Sequence, residues 1–303
     1  MINRNVTTTI DPESCIGCGL CISVCPSETL SMKNNKAVVT GKRSLSCGHC
    51  EAVCPTGAIE VKGLDSDTAK FHSFQVSNQW IPFGNFNVSD LVGLMRSRRS
   101  CRNYTEKPVA PEILQDLINA GITAPSGTNS QKWTFMVIAE RSSVMALGDK
   151  VAEFFRKLNR MAEKKYLRKA LKIIGKPSID NYYQNYYRSV KRGLEKYEKQ
   201  NKDLLFHGAT AAILVGSRPG GSCPAEDALL ATQNILLASH AMGLGSCLIG
   251  FAVEAIRRDS SIKNFIGIPD NEKVHSVIAL GYPDESYQTV CRRKKPVVRF
   301  FKN

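Results

Sequence analysis

Seven cysteines fall within the first 54 residues of this 303-residue chain. Four of them lie in the run CIGCGLCISVCP, separated by two, two and three residues, and three more follow in SLSCGHCEAVCP. The remaining four cysteines show no paired spacing. Closely spaced thiols in a reducing compartment hold metal more often than they form disulfides. The pattern therefore predicts a small metal-bound unit at the start of the chain.

The composition is that of an ordinary globular protein, 43% hydrophobic and 22% charged. The segment MINRNVTTTIDPES lacks the apolar core of a signal peptide, and apolar runs such as Ala211–Val215 are far shorter than the roughly 18–20 residues that span a bilayer. We therefore expect a cytoplasmic protein of two domains, with no membrane partner.

The first cysteine run has the spacing of bacterial-type ferredoxins, in which three thiolates hold one face of an iron–sulfur cube and a fourth reaches a second cluster. The second run repeats the pattern but begins with Ser44 in place of cysteine. Crossed ligation predicts two ligand sets: Cys15, Cys18, Cys21 and Cys54 for one [4Fe–4S] cluster, and Cys25, Cys47 and Cys50 with Ser44 for the other.

Ser44 leaves the chemistry of the second site open. A hydroxyl is far less acidic than a thiol, so the alternatives are a serine-ligated iron, a labile or water-bound fourth iron, and a three-iron cluster. A four-cysteine zinc site is a further alternative, although seven cysteines exceed what one tetrahedral zinc needs. We expect His49 to pack beside Cys47 and Cys50 rather than to bind metal.

The sequence divides into three regions. Residues 1–62 predict the iron–sulfur domain, residues 63–87 a connector pinned to a surface by Trp80, Ile81 and Phe83, and residues 88–303 a larger domain. Within the last region the apolar runs predict buried strands, and Ser89 and Pro111 predict helix starts. The predicted strands are Trp133–Ala139, Ala211–Gly216 and Val274–Leu280, with a helix over 225–242 and an earlier strand over Lys36–Thr40. The fold class is α+β.

The net charge of +14 is concentrated in one segment. Residues 151–205 carry fifteen basic and six acidic side chains, whereas residues 1–62 carry six and five. Near-helical spacing predicts a long pair of surface helices there. The segment is either a solvated face or a docking surface for an acidic partner protein. Nucleic acid is not expected as a partner, because no recognition motif accompanies the charge.

From about residue 91 onward the sequence resembles the FMN-dependent nitroreductase family. Four segments carry the resemblance: MRSRRSCRNYTEKPV, APSGTNSQKWTFMVI, GLGSCLIGF and RRKKPVV. The resemblance implies a nitroreductase-like FMN-binding α+β fold, here preceded by a small ferredoxin-like 4Fe-4S domain. It also implies a homodimer with FMN at the subunit interface.

The resemblance implies a role for each matched segment. The FMN phosphate and ribityl chain would be held by Arg98, Arg99, Ser100 and Arg102, with Arg292 and Lys294 closing over the phosphate. The flavin ring would lie along Pro125, Ser126, Gly127 and Asn129. The backbone N–H groups of Ile249 and Gly250 would face flavin N5 and O4 as the catalytic pair.

Together the two halves predict an oxidoreductase that relays electrons. Iron–sulfur clusters carry single electrons, and a flavin collects two and delivers them as hydride. A ferredoxin or flavodoxin is the expected donor, and a nitroaromatic, quinone or activated alkene the expected small-molecule acceptor. The alternatives are a specialised flavin enzyme such as a reductive dehalogenase, and a redox sensor or electron carrier that turns over no small molecule.

Overall fold

The cysteine-rich part folds as two strand pairs, with a one-turn helix beside each cysteine run. The computed structural model describes residues 5–65, 68 and 70–302. The elements are β1 (Thr8–Ile10), α1 (Leu20–Ser23), β2 (Leu30–Lys33), β3 (Lys36–Val39), α2 (His49–Ala52) and β4 (Ile59–Val61). Strand β1 pairs with β4 and β2 with β3, both antiparallel. Gly19 and Gly48, at φ of 74° and 75°, precede α1 and α2, so the backbone repeats along with the cysteines.

The larger part is built around a four-stranded antiparallel sheet. Its strands are β5 (Trp133–Ile138), β6 (Ala211–Ser217), β7 (Gly245–Leu248) and β8 (Lys273–Gly281), in the spatial order β5-β6-β8-β7. All seven residues of the central strand β6 are buried. Since successive side chains point to opposite faces, Leu214 joins one apolar core and Ile213 and Val215 join the other.

Helices cover both faces of this sheet. They are α3 (Val88–Ser97), α4 (Pro111–Gly121), α5 (Arg141–Glu163), α6 (Lys165–Ile173), α7 (Ser178–Asn185), α8 (Tyr187–Gln200), α9 (Pro224–Ala241), α10 (Gly250–Arg258) and α11 (Ser260–Phe265). Helices α4 and α9 supply the core on one face, and α5, α10 and α11 supply the core on the other. The predicted α+β class is confirmed.

The structure corrects two local predictions. The cap of α3 is Asn87, whose side chain accepts a hydrogen bond from the backbone N–H of Ser89, so the helix begins one residue before the predicted cap. The basic segment 151–205 is not a helical pair. It comprises the second half of α5 and three shorter helices, because the left-handed Gly175 and the following Pro177 interrupt the pattern between α6 and α7.

The connector is held by its first half rather than by its aromatic residues. The buried Asp116 on α4 accepts hydrogen bonds from the backbone N–H groups of His72 and Ser73, at 2.8 and 2.7 Å. Trp80 and Phe83 were predicted to pin the connector, but they are 75% and 94% exposed. That prediction is wrong for this chain taken alone.

Exposed apolar side chains also occur at the far end of the chain. Phe300 and Phe301 are 85% and 90% exposed in a segment without regular structure. We refer to Trp80, Ile81, Phe83, Phe86, Val88, Val297, Val298, Phe300 and Phe301 together as the apolar fringe. None of the helices in the described residues is both long and apolar enough to span a bilayer.

Candidate functional site

The cysteines of the N-terminal unit line two separate cavities. One is lined by Cys15, Cys18, Cys21 and Cys54, and we call it the outer cavity. The other is lined by Cys25, Cys47, Cys50 and Ser44, and we call it the inner cavity. This grouping corresponds to the crossed ligand sets expected from the spacing, because each cysteine run sends its last cysteine to the cavity of the other run.

Ser44 is buried beside the three cysteines of the inner cavity. Its hydroxyl oxygen accepts a hydrogen bond from the backbone N–H of Ser46 at 3.0 Å. His49 contacts Cys47 through its Nδ1 atom, 2.9 Å from Sγ. The inner cavity therefore offers three thiols and one hydroxyl, with an imidazole against one of the thiols.

Backbone amides and hydroxyls surround the sulfurs. The N–H of Ala37 donates to Cys15 Sγ at 3.5 Å, and that of Thr29 donates to Cys25 Sγ at 3.4 Å. Burial raises the pKa of the Cys25 thiol, but the hydrogen bonds from Thr29 outweigh it, so the net pKa lies below the ordinary value. At Cys54 the bonds from Thr56 have the same effect on the pKa.

This donor set fits iron–sulfur clusters. Thiolates bind iron and sulfur-directed N–H donors tune such clusters, and the outer cavity supplies the four thiols that a complete cube requires. Among the described residues, no group of three or more His, Cys, Asp or Glu side chains is arranged to hold a single metal ion.

Arginines gather where α3 ends beside the sheet. Arg98 is the C-terminal cap of α3, and the next residues run alongside β7, with the N–H of Cys101 donating to the carbonyl of Ser246 at 3.0 Å. Burial lowers the pKa of the Arg98 guanidinium, and the positive charges of Arg99 and Arg293 lower it further.

The buried thiol of Cys247 lies against the same group. Burial raises its pKa, whereas the positive charges of Arg102 and Arg98 and a hydrogen bond with Ser100 oppose that rise. In the described part of the chain none of these arginines forms an ion pair. One carboxylate, that of Glu285, lies nearby and is bonded to the backbone N–H of Arg102. The guanidinium ions outnumber it, so this partly buried group is a candidate site for an anion.

The C-terminal basic run reaches this arginine group through Arg293. Its charge acts on Arg98. Arg292, Arg293 and Lys294 are all exposed in a segment without regular structure, so the predicted phosphate contacts of Arg292 and Lys294 stay predictions.

The turn after β7 leads into the N-terminus of helix α10. The N–H of Ile249 donates to the carbonyl of Val277 at 2.8 Å, so the structure does not leave it available to a flavin as predicted. The N–H of Gly250 is the first of helix α10 and has no acceptor within that helix. A Cβ added at Gly250 would meet no atom within 4 Å, which leaves open space over this residue.

Gly250 opens onto a cavity of about 820 Å³ that also touches Arg102 and His207. Four aromatic rings meet in a closed circuit along its wall. Phe155 stacks on Tyr182 and Tyr182 on Tyr186, with centroids 6.2 and 6.5 Å apart. Phe251 meets Phe155 and Tyr186 edge-on at 5.5 and 6.1 Å. We call these residues the aromatic quartet.

The segment before β5 is strained and tightly held. Thr128, Asn129 and Gln131 have φ of 53°, 52° and 46°, a left-handed region that Asn tolerates but that is unfavourable for Thr and Gln. The buried carboxylate of Asp227 on α9 accepts hydrogen bonds from the N–H of Gly127 at 2.8 Å and from the Ser130 hydroxyl at 3.2 Å. Strain of this kind persists only where the surroundings impose it.

Asn129 contacts the N-terminal unit. Its side-chain amide donates to the backbone carbonyls of Leu45 and Ser46, at 3.2 and 2.9 Å, and its oxygen accepts from Gln131 Nε2 at 2.9 Å. A residue predicted to line a flavin is therefore bonded to the loop between Ser44 and Cys47.

Comparison with known proteins identifies the larger part of the chain. Residues 95–282 match the sequence model of the nitroreductase family. This chain belongs to the nitroreductase family. Residues 14–58 match the 4Fe-4S dicluster domain, which confirms the nature of the N-terminal unit. The predicted boundaries at residues 62 and 87 are not tested by these matches.

Individual relatives of this nitroreductase are distant and diverse. It is 23% identical to an NADH dehydrogenase of Thermus thermophilus, with 65% of this chain and 89% of the relative covered. It is also 23% identical to an iodotyrosine deiodinase of Hydra vulgaris, with 69% and 71% covered. A nitroreductase structure with bound FMN from Desulfitobacterium hafniense DCB-2 aligns at a TM-score of 0.49 and 22% identity, covering 69% of this chain and 97% of the other.

Within one copy of this nitroreductase, the predicted flavin residues fall into two groups. The arginines and Gly250 lie beside β7, whereas Pro125, Ser126, Gly127 and Asn129 lead into β5. These are the two edge strands of the sheet, separated by three interstrand spacings or about 14 Å. The chain therefore brings together the residues within each group but not the two groups.

Sequence reasoning missed several residues of the site. Asp227 sits near the start of the largely apolar helix α9, and no motif marks its carboxylate as the anchor of a loop one hundred residues away. His207 faces the cavity from a loop at φ of 59°. The aromatic quartet joins α5, α7 and α10, and only the aromatic enrichment of YYQNYY could have suggested it.

Proposed function

We propose that this nitroreductase is an iron–sulfur flavoprotein reductase. It takes electrons one at a time from a low-potential donor, passes them through two clusters to FMN, and reduces an electron-poor aromatic acceptor. The observation that carries the proposal is the presence, in one nitroreductase chain, of two cysteine-lined cavities whose loop is bonded to the segment predicted to line the flavin.

FMN fits the open groups described above. Arg98, Ser100 and Arg102 would hold its phosphate, since guanidinium forks and a hydroxyl suit a dianion. Within the described residues neither guanidinium is already used in an ion pair. Gly250 would leave room for the ring and direct its free N–H at it. When bound, FMN supplies two-electron chemistry from single-electron donors. The chain binds and orients it, and the arginines stabilise the negative charge that accompanies reduction.

A homodimer would complete the flavin site. One copy separates the two flavin-binding groups by about the width of the sheet, so a second copy could bring the segment before β5 of one chain against the arginines of the other. The apolar fringe supports such pairing, because it leaves nine large apolar side chains exposed in two segments of a single copy.

The basic helices α6 and α8 support docking of a ferredoxin or flavodoxin. Several charges there are already used within the chain, as in the pairs Arg156–Glu198 and Lys191–Glu163. Arg168 is also unavailable, since it pairs with Asp180 and lies 3.6 Å from the ring centre of Tyr183. Lys164 and Lys165 are exposed and remain free to attract an acidic donor.

The aromatic quartet favours a planar aromatic acceptor. Rings stack best on other rings, and a wall of Phe and Tyr beside Gly250 would hold a nitroaromatic or quinone against the flavin. The iodotyrosine deiodinase relatives favour a second candidate, reductive dehalogenation of a halogenated phenol, on the same surface. A redox sensor would show neither activity.

The decisive experiment measures turnover of the full-length protein under strictly anaerobic conditions. Reduced ferredoxin, NADH and NADPH are compared as donors against nitrobenzoate, benzoquinone and iodotyrosine. The proposal requires bound iron and FMN, and faster turnover with ferredoxin than with either nicotinamide. Cys50→Ser should abolish the advantage of ferredoxin, while Cys291→Ser, which alters an exposed thiol outside both cavities, should keep it. Equal rates with NADPH in all three proteins would overturn the proposal.

A further inference from the structure

The contact between Asn129 and the loop at Ser46 defines how the two parts of the chain meet. In the described structure, the hydrogen bonds that join residues 5–62 to residues 88–302 are the two donated by the Asn129 amide. The salt bridges found in the described residues all lie within the larger part. Apart from the connector, the side-chain hydrogen bonds found between residues 6–62 and the larger part thus come from one residue, Asn129.

The hydrogen-bonding capacity of Asn129 is committed to this contact. A carboxamide has two N–H donors, and both are directed at the carbonyls of Leu45 and Ser46. Gln131 donates to the oxygen and so fixes which end of the amide faces the loop. No donor of Asn129 is left over for a flavin, although the residue lies in the predicted flavin segment.

One of the residues that Asn129 contacts, Ser46, is also hydrogen-bonded to a residue that lines the inner cavity. Ser46 accepts the bond from Asn129 through its carbonyl and donates its own N–H to the hydroxyl of Ser44, which lines that cavity with Cys25, Cys47 and Cys50. Ser46 has a φ of 49°, so this bonding holds it in an unfavourable conformation. The outer cavity has no corresponding bond to the larger part among the described residues.

We propose that Asn129 is a positioning residue that docks the inner cluster site on the flavin segment and thereby sets the order of electron flow. This rests on the proposed function. With both clusters and FMN bound, the outer site would accept an electron from an external low-potential donor and pass it to the inner site, which would pass it to FMN. Two such electrons, with two protons from solvent, would reduce FMN fully.

Asn129→Asp tests the docking. The carboxylate has nearly the same shape but turns two donors into acceptors that face two carbonyls, which repels the loop. Each protein is reduced with a limiting amount of dithionite, and flavin reduction and cluster reoxidation are followed by stopped-flow absorbance. We expect the transfer rate per bound flavin to fall at least tenfold, with faster amide hydrogen exchange over residues 44–48.

Two further variants separate docking from other effects. Gln131→Glu should slow transfer in the same direction, because an acceptor at that position favours the flipped amide of Asn129. Asn234→Asp is the matched control, since Asn234 also donates an amide hydrogen bond, to Thr123 at 3.0 Å, but away from the loop. It should transfer electrons at the wild-type rate.

The order of flow is tested by removing one cluster at a time. Cys18→Ser affects the outer cavity, and chains that keep the inner cluster should still pass an electron to FMN. Cys50→Ser affects the inner cavity and should stop transfer even when electron paramagnetic resonance shows the outer cluster intact and reduced.

The outcomes distinguish the inference from the function beneath it. A wild-type protein without iron or FMN would overturn the proposed function. A wild-type protein that transfers electrons, with Asn129→Asp equally fast, would overturn the inference alone. Weaker FMN binding in Asn129→Asp with unchanged transfer per bound flavin would show that Asn129 is a flavin ligand. That result would also overturn the inference.

Discussion

Arg98 and Arg293 lie close enough for each positive charge to act on the other, although 194 residues separate them in the sequence. Mutual repulsion makes this arrangement unfavourable unless an anion relieves it. Neither arginine forms an ion pair among the described residues, so the arrangement suits a negative charge from outside the chain.

Replacing Arg98 and Arg102 together by Ala should release FMN. Two charge-assisted hydrogen bonds to phosphate contribute about 3 kcal/mol at least, so we expect affinity to fall on the order of a hundredfold. Fluorescence titration of the deflavinated protein measures this, and iron content should be unchanged. Arg96→Ala, which alters an exposed residue two positions earlier on α3, should bind FMN normally.

Ser44→Cys should stabilise the inner cluster in air. A thiolate binds iron more firmly than a hydroxyl, and Ser44 already lines the cavity beside three cysteines. Bleaching of visible absorbance on exposure to oxygen should be biphasic in the wild type and lose its fast phase in the variant. If the wild type loses both clusters at one rate, Ser44 is not the weak position.

Asp227→Ala should loosen the strained segment before β5. The buried N–H of Gly127 would lose its acceptor, which costs about 1–3 kcal/mol. We expect a lower thermal midpoint and faster hydrogen exchange over residues 126–131. Asp227→Asn keeps one acceptor oxygen and should be much milder; an equal loss in the two variants would point to packing instead.

Acid should destabilise the folded protein through two histidines. Burial lowers the pKa of His207 and of His275 below the ordinary 6.5. The unfolded chain therefore takes up protons first as pH falls through 6.5, and stability is lost from there down to the folded pKa values. His207→Asn suits the positive φ and should reduce the slope of unfolding free energy against pH between 5 and 7, as measured by urea titration.

Lys164→Glu with Lys165→Glu should slow ferredoxin-driven turnover and weaken its salt dependence. Charges at this exposed turn attract an acidic donor over a Debye length of about 8 Å at physiological ionic strength. Turnover driven by dithionite should not change. Arg168→Gln should instead lower thermal stability, because Arg168 is internally paired.

The sequence was most informative where the spacing of residues along the chain alone determines what they can bind. The cysteine runs predict the two ligand groups because a cluster requires thiols at fixed separations along a short loop. The strands at β5, β6 and β8 were predicted from apolar runs, since a buried strand must be apolar on both faces. Strand β7 was missed because GSCL is short and follows a glycine turn, and it forms by pairing with β8.

Relationships across long distances in the sequence were not predictable. Asn129 matches a flavin motif, and nothing in that motif indicates that its amide bonds to backbone carbonyls more than eighty residues earlier. Every residue has a backbone carbonyl, so the residue type does not indicate which carbonyl accepts a hydrogen bond. The same holds for Arg293, because nothing in the run RRKK indicates that the charge of Arg293 acts on Arg98, 194 residues earlier in the chain.

The apolar fringe has a consequence for handling the protein. If the fringe is covered by a second copy and that copy also completes the flavin site, then folding, pairing and cofactor loading are linked by mass action. Dilution would then release FMN and lower the thermal midpoint together, and excess FMN would restore both. The flavin content of a preparation would therefore depend on how far the protein had been diluted as well as on its purity.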